Sequence, residues 1–447
     1  MKDATGKPAA NGWALIPFLV FAAFYVGLSV WAGDFYKVPM PIAFLIASAV
    51  ALAFGGGRRL NARIETYAAG MGEVNIMIMC LLFILAGAFA CVARESGAVD
   101  AAVAVAQSLV PAKLMLAGVF VISCLISLAI GTSCGTIAAV TPIALGFAGP
   151  LGLSPAMLVG AVVGGSMFGD NLSMISDTTI AATRTQGIGM RDKFVANFWI
   201  ALPAAVACVV LYALIGMSRD GGATASAAAI TWEQVLLVTP YVLILLLALV
   251  GFNVMLLLFS GTVFASVIGM VVGKLDFWGA IDLLGKGALG MSETLIVAIL
   301  AGGLFRTIQA NGGVRWLTER IALLVRGPRT CELGMFLLVS AVNLFTANNT
   351  VAIVIAGPIA RECAGRFGAN PVRIASVLDT ASCVVQGLIP YGAQVLIAIG
   401  VAKTALVPFD SLALLKCLYY PPALAVAVFV AIAFIRRAPK GESANGQ

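Results

Sequence analysis

Histidine is missing from all 447 positions of the chain. Its absence removes histidine-based zinc sites, HExxH chemistry and the usual imidazole base, so proton handling near neutral pH falls to carboxylates. Charge is scarce as well, with Asp, Glu, Lys and Arg at 11% of residues, where a soluble domain carries about 25%. Such a chain cannot cover itself with polar surface. No GxxxxGK[ST] loop occurs, which excludes a P-loop nucleotide site and leaves an ion gradient as the energy source. No GxSxG follows a strand pattern, so a hydrolase elbow is excluded too. The nine cysteines lack CxxC spacing and fall mostly in apolar runs, as at Cys80, Cys124, Cys208 and Cys383; they read as small buried hydrophobes.

What remains is 61% hydrophobic, with mean hydropathy +1.04. Apolar runs recur along the whole chain, among them 13–32, 74–93, 155–168, 194–216, 254–273 and 417–435. Several reach the roughly 17–25 residues that cross a bilayer as a helix, and others fall short. The first run starts near Trp13 and lacks a small-residue cleavage pattern, so it is expected to stay as the first helix. The formal charge of +7 is dispersed among short loops, which fits cytoplasmic orientation charges better than nucleic-acid binding. These features predict an all-α polytopic membrane protein forming one integrated bundle, with membrane lipid around it and no nucleic-acid partner.

Sliding the sequence against itself at an offset of 215–216 gives a recurring likeness. "LAGAFACVARESGAV" (85–99) falls on "LAGGLFRTIQANGGV" (300–314), "GTSCGTIAAVTPIA" (131–144) on "ANNTVAIVIAGPIA" (347–360), and "GLSP" (152–155) on "GANP" (368–371). Two related halves are expected, 1–216 and 217–447, joined by "MSRDGGATASAAAITWEQ". With 114–149 and 333–360 as re-entrant hairpins, most Lys and Arg, including Arg58, Arg59, Arg63, Arg184, Arg191, Lys193, Arg361, Arg366 and Arg373, lie on one side. The positive-inside rule makes that side cytoplasmic, with both termini there. Each half then crosses an odd number of times, so the second lies upside down: two inverted-topology repeats, about ten transmembrane helices plus two re-entrant hairpins and two broken helices.

The interruptions carry the polar residues. In the first half they are "GTSCGT" (131–136) and "GDNLSMISDTT" (169–179); in the second, "TANNT" (346–350) and "QGLIPYGAQ" (386–394). Helix breaks free backbone carbonyls that hydrocarbon cannot satisfy, so they belong against protein or a water-filled cavity. A small hard cation takes oxygen ligands, and Thr132, Ser133, Thr136, Ser173, Ser176, Asn348, Asn349 and Thr350 offer them. Small hydroxylated residues also serve close helix packing without any ion. Three acids adjoin or enter apolar runs: Asp170, Asp177 and Asp379. A charge at mid-bilayer costs at least about 2.5–3.5 kcal/mol, which marks them as candidates for carboxylates that alternate between proton and sodium. Asp170 and Asp177 stand two turns apart and would share a face if the helix continued. Asp379, eight residues after Pro371, lies about 12 Å into its helix. Asp177 in "SDTT" also suits an N-cap. Arg184 suits either an acid partner, an anionic solute or an orientation charge; Glu73 and Glu293 suit interfacial acids; Asn343 and Gln386 are further lining candidates.

"GTSCGT" followed by "FGDNLSMISDTT" resembles the paired signatures of the NhaC-type sodium/proton antiporter family, within the wider ion transporter superfamily, and the likeness runs over roughly 13–435. The "TANNT" segment is similar to the hairpin tips of sodium-coupled carboxylate carriers in that superfamily. The resemblance implies two inverted repeats of five helices plus a hairpin, and places Thr132, Ser133, Asp170, Asn171, Ser176, Asp177 and Thr178 near the transport site. Met174 departs from the pattern, where proline is common before "ISDT". The implied activity is sodium/proton exchange in a bacterial cytoplasmic (inner) membrane, with sodium and the proton as transported ions, no other cofactor, and Asp170, Asp177, Asn348 and Asn349 as sodium ligands. The alternative is sodium-coupled transport of an amino acid or small carboxylate, met by Arg184, the Asn348/Asn349 tip and the Gln386 break. An intramembrane aspartyl enzyme fits less well, because the polar breaks are matched between halves. A homodimer is compatible with the sequence and is not specified by it.

Overall fold

The computed structural model describes residues 8–32, 38–53, 59–218, 230–250 and 252–434. The expected linker over 217–234, Arg58 and both termini lie wholly or largely outside the described residues. Within them the regular elements are helices, and eight spans are long and apolar enough to cross a membrane: Gly12–Ser29, Val74–Glu95, Ala112–Ile130, Pro155–Gln186, Met190–Met217, Val254–Val271, Phe277–Ala310 and Pro371–Thr404. Their outer faces are apolar. Leu125, Trp199, Val210, Leu256, Phe259 and Val430 are all at least half exposed, a pattern that water would penalise and lipid satisfies.

The two predicted interruptions in each half are present, and in register. Helix Met115–Ile130 turns at Gly131 into Ser133–Gly146; Pro328–Thr346 turns at Ala347 into Asn349–Phe367. After each hairpin comes a broken helix, Pro155–Leu172 with Asp177–Gln186, then Pro371–Leu388 with Ala393–Thr404. Proline at the first helical position opens both, where its missing N–H leaves no bond unmade. One constant offset relates the openings (Pro155 and Pro371), the ends of the first pieces (Leu172 and Leu388) and the restarts (Asp177 and Ala393), and it is the offset of the sequence repeat. The hairpin turns match equally. Gly131 has φ 76°, and Ala347, its counterpart at the same offset, has φ 49° although it carries a Cβ.

Packing crosses between the halves in the same pattern. The hairpin arm Ser133–Gly146 lies on Ala393–Thr404, its counterpart Asn349–Phe367 lies on Asp177–Gln186, and the two long helices Pro155–Leu172 and Pro371–Leu388 touch each other. Small residues permit this closeness. A Cβ on Gly169 would come 2.2 Å from Ser127 Cβ, and one on Gly165 would come 2.4 Å from the Phe120 carbonyl oxygen. Matching side-chain bonds tie each hairpin to its broken helix: Ser127 Oγ donates to the Ser166 carbonyl at 2.6 Å, and Asn343 Nδ2 donates to the Ser382 carbonyl at 2.8 Å.

Candidate functional site

Asp170 sits in the last turn of Pro155–Leu172 and is 5% exposed. Ser133 is the first residue of the hairpin arm, so its N–H has no partner within its own helix. The Asp170 carboxylate accepts that N–H at 2.8 Å and the Ser133 hydroxyl with its other oxygen. The positive end of the helix therefore faces a buried carboxylate. From Ser133 a chain of side-chain bonds continues into the second half. Gln394 Nε2 donates to Ser133 Oγ at 3.0 Å; Gln386 Nε2 donates to Gln394 Oε1 at 2.9 Å and to the Ala347 carbonyl at 2.8 Å. One polar thread links the acid of the first broken helix to the turn of the opposite hairpin.

The hydroxyls of the first break hold its freed carbonyls and one carbonyl of the hairpin helix beside it. Ser176 Oγ donates to the Asp170 carbonyl at 3.0 Å, Thr178 Oγ1 to the same oxygen at 3.3 Å, Thr179 Oγ1 to the Ser173 carbonyl at 2.8 Å, and Ser173 Oγ to the Leu128 carbonyl at 3.2 Å. Ser176 also accepts the Thr179 N–H at 3.2 Å as the N-cap of Asp177–Gln186. That cap displaces the one expected of Asp177, which is the first helical residue and is exposed. The four residues between the helices change the helical phase, so Asp170 and Asp177 do not share a buried face. Arg184 is likewise exposed, in the last turn of the same helix, and forms no ion pair among the described residues.

At the hairpin turns the predicted oxygens are partly committed. Thr132 is the half-buried N-cap of its arm without a side-chain bond, and Thr136 Oγ1 donates back to the Thr132 carbonyl at 3.1 Å. Asn348 caps the second arm, accepting the Val351 N–H at 3.0 Å; Asn349 Oδ1 accepts the Thr350 N–H at 3.0 Å. Buried Asn349 Nδ2 and Gln386 Oε1 have no partner. Asp170 is buried and Asp177 exposed, and no group of three or more Cys, Asp and Glu among the described residues is placed to hold a metal. Glu73 caps Val74–Glu95, and Glu293 pairs with Lys403 at 2.5 Å. A cavity of about 250 Å³ beside that pair, lined by Tyr25, Met40 and Asp410, contains none of the predicted site residues.

Sequence reasoning assigned Lys193 to a loop. It is in fact 1% exposed, and its ammonium lies 2.6 Å from Asp379 Oδ2, itself on a fully buried residue. The same Nζ donates to the Asn171 carbonyl at 2.7 Å and to Thr179 Oγ1 at 2.6 Å. Asn197 Nδ2, one turn further along, donates to Asp379 Oδ2 at 2.7 Å and to the Asn171 carbonyl at 3.0 Å. Asn171 Nδ2 reaches Tyr420 Oη at 3.3 Å, which closes the cluster with the last described helix. Lys193 and Asn197 are four residues apart in the continuous helix Met190–Met217, and that spacing was the available signal for a polar stripe on an otherwise apolar helix.

Residues 9–217 and 221–435 match the sequence model of the Na+/H+ antiporter family. The chain belongs to that family. Among relatives of the Na+/H+ antiporter family, the Na(+)/H(+) antiporter NhaC of Bacillus subtilis is 24% identical over 430 residues, covering 88% of this chain and 91% of that protein. NhaC of Alkalihalophilus pseudofirmus is 23% identical over 391 residues, with 79% and 82% covered. The Malate-2H(+)/Na(+)-lactate antiporter of Bacillus subtilis is 20% identical over 422 residues, with 87% and 89% covered.

Proposed function

We propose that this membrane protein is a secondary transporter that exchanges sodium for protons, with the Asp170 carboxylate as the group that carries one or the other. The observation that carries this reading is the placement of a buried acid, with no basic partner among the described residues, where a helix break, a hairpin turn and the opposite half converge. Protonated, Asp170 is neutral; after releasing its proton it takes the sodium ion as cargo, beside the Ser133 hydroxyl and the carbonyls of the break. The site crosses loaded in either form, because an empty carboxylate in a low-dielectric setting is costly. We further propose that halves 1–216 and 217–447 lie inverted in a bacterial cytoplasmic membrane, with both termini inside and the hairpins re-entrant. The constant offset between the two sets of breaks and the crossed packing of hairpin arms on broken helices support that arrangement. Two such arrangements of the same contacts give the site access to each side in turn.

The test uses purified protein in liposomes with a pH indicator inside. An imposed sodium gradient moves protons in the opposite direction without any organic solute, and Asp170→Asn abolishes the movement. Coupling to a small carboxylate is the second reading, favoured by the malate/lactate relative. If proton movement appears only when malate or lactate is added, that reading replaces the first.

A further inference from the structure

We propose that Lys193 is a tethered cation filling a second sodium site, so that the protein, although it buries two acids at this level, binds one sodium rather than two. The inference rests on the sodium/proton reading of Asp170 but concerns different atoms. An ammonium has three N–H donors. Here they meet three oxygens, a carboxylate of Asp379, the carbonyl of Asn171 and the hydroxyl of Thr179, at 2.6–2.7 Å. Carboxylate, carbonyl and hydroxyl are also the oxygens that a small hard cation accepts at an unwound segment. Asn197 bridges two of them, and three more buried oxygens on the cluster's own residues, Asp379 Oδ1, Asn171 Oδ1 and Asn197 Oδ1, have no partner. An oxygen-lined recess with spare acceptors is more than a salt bridge needs.

The charge count gives the consequence. Asp379 is neutralised by Lys193, whereas Asp170 is held by the Ser133 donors and the Gln394 thread, with no basic side chain paired to it among the described residues. One of the two buried acids is therefore open to exchange. The internal repeat offers no duplicate of the pair: at the repeat offset, Phe409 stands for Lys193 and Val163 for Asp379. The pair is an addition to one side of the shared architecture, at the restart of the first broken helix.

Equilibrium binding of radioactive sodium to the purified full chain tests this in wild type, Lys193→Met and the double variant Lys193→Met/Asp379→Asn. Lys193→Met is expected to bind one sodium more than wild type, and its unfolding temperature to climb steeply with sodium. The double variant returns to the wild-type count. An unchanged count in Lys193→Met overturns the proposal. Should Lys193→Met be recoverable only in high sodium, the ion has replaced the ammonium as proposed; should no sodium concentration recover it while the double variant folds, the recess does not accept sodium. A wild type that binds no sodium contradicts the antiport reading alone, because the second site is read from the difference between the two proteins.

Discussion

Asp170 and Gln386 occupy equivalent places in the two halves, each the third residue from the end of its long helix, Pro155–Leu172 or Pro371–Leu388. One is an acid and the other carries an amide, and both reach toward the hairpin elements: Asp170 to Ser133, Gln386 to the Ala347 carbonyl. The two equivalent positions thus bear one carboxylate between them, the group proposed to exchange proton for sodium. Replacing Asp170 by Asn keeps an oxygen for the Ser133 N–H and removes the charge. The expected result is a folded, monodisperse protein with no sodium-dependent proton flux, measured in liposomes beside a melting curve.

The Lys193–Asp379 pair makes a separate stability prediction. Removing one member of a fully buried ion pair costs about 3–5 kcal/mol, because the other is left unpaired, whereas removing both together is far milder. In sodium-free buffer, Lys193→Met and Asp379→Asn are each expected to lower thermal stability strongly, and the double variant to recover most of the loss. Thermal unfolding of the four proteins measures the coupling.

Turn geometry gives a third prediction with opposite signs at equivalent positions. Ala347 holds φ 49° with a Cβ, so Ala347→Gly is expected to stabilise the protein by about 1 kcal/mol. Gly131 holds φ 76°, and a Cβ there would lie 2.6 Å from Ile175 Cγ1. Gly131→Ala is expected to destabilise by about 1–2 kcal/mol or more. Denaturation midpoints of the pair check the sign.

Much of this arrangement is legible in the sequence, because hydrocarbon leaves a chain few choices. Long apolar runs must be helices, and a glycine or proline with hydroxyls inside one must mark a break that faces protein or water. For that reason both hairpins, both broken helices and Asp170 are found where the pattern places them. Faces are harder to read across a break. Asp177 lies seven residues after Asp170, but residues 173–176 are not helical, so the two side chains leave their helices in unrelated directions. Lys193 misled for another reason. Its neighbour Arg191 reads with it as a loop charge, yet Met190–Met217 is one helix, and Lys193, its fourth residue, already enters the bundle.

The bridge from Ser133 through Gln394 to Gln386 joins the halves, and a fourth prediction concerns it. Gln394→Leu leaves the Ser133 hydroxyl and the Gln386 amide without this shared partner, a loss worth about 1–3 kcal/mol for buried polar groups. Slower exchange with unchanged sodium-to-proton stoichiometry is expected, from initial rates in liposomes. A changed stoichiometry would place Gln394 among the ion ligands instead.

The central claim is that sodium and a proton compete for Asp170. Its most direct measurement is the number of protons released when sodium is added to purified protein in weakly buffered solution. The account predicts one proton released per sodium bound on the acidic side of the exchange, sodium affinity that improves as pH rises, and neither effect in Asp170→Asn. Sodium binding of equal strength at all pH values, or proton release that persists in Asp170→Asn, would contradict it.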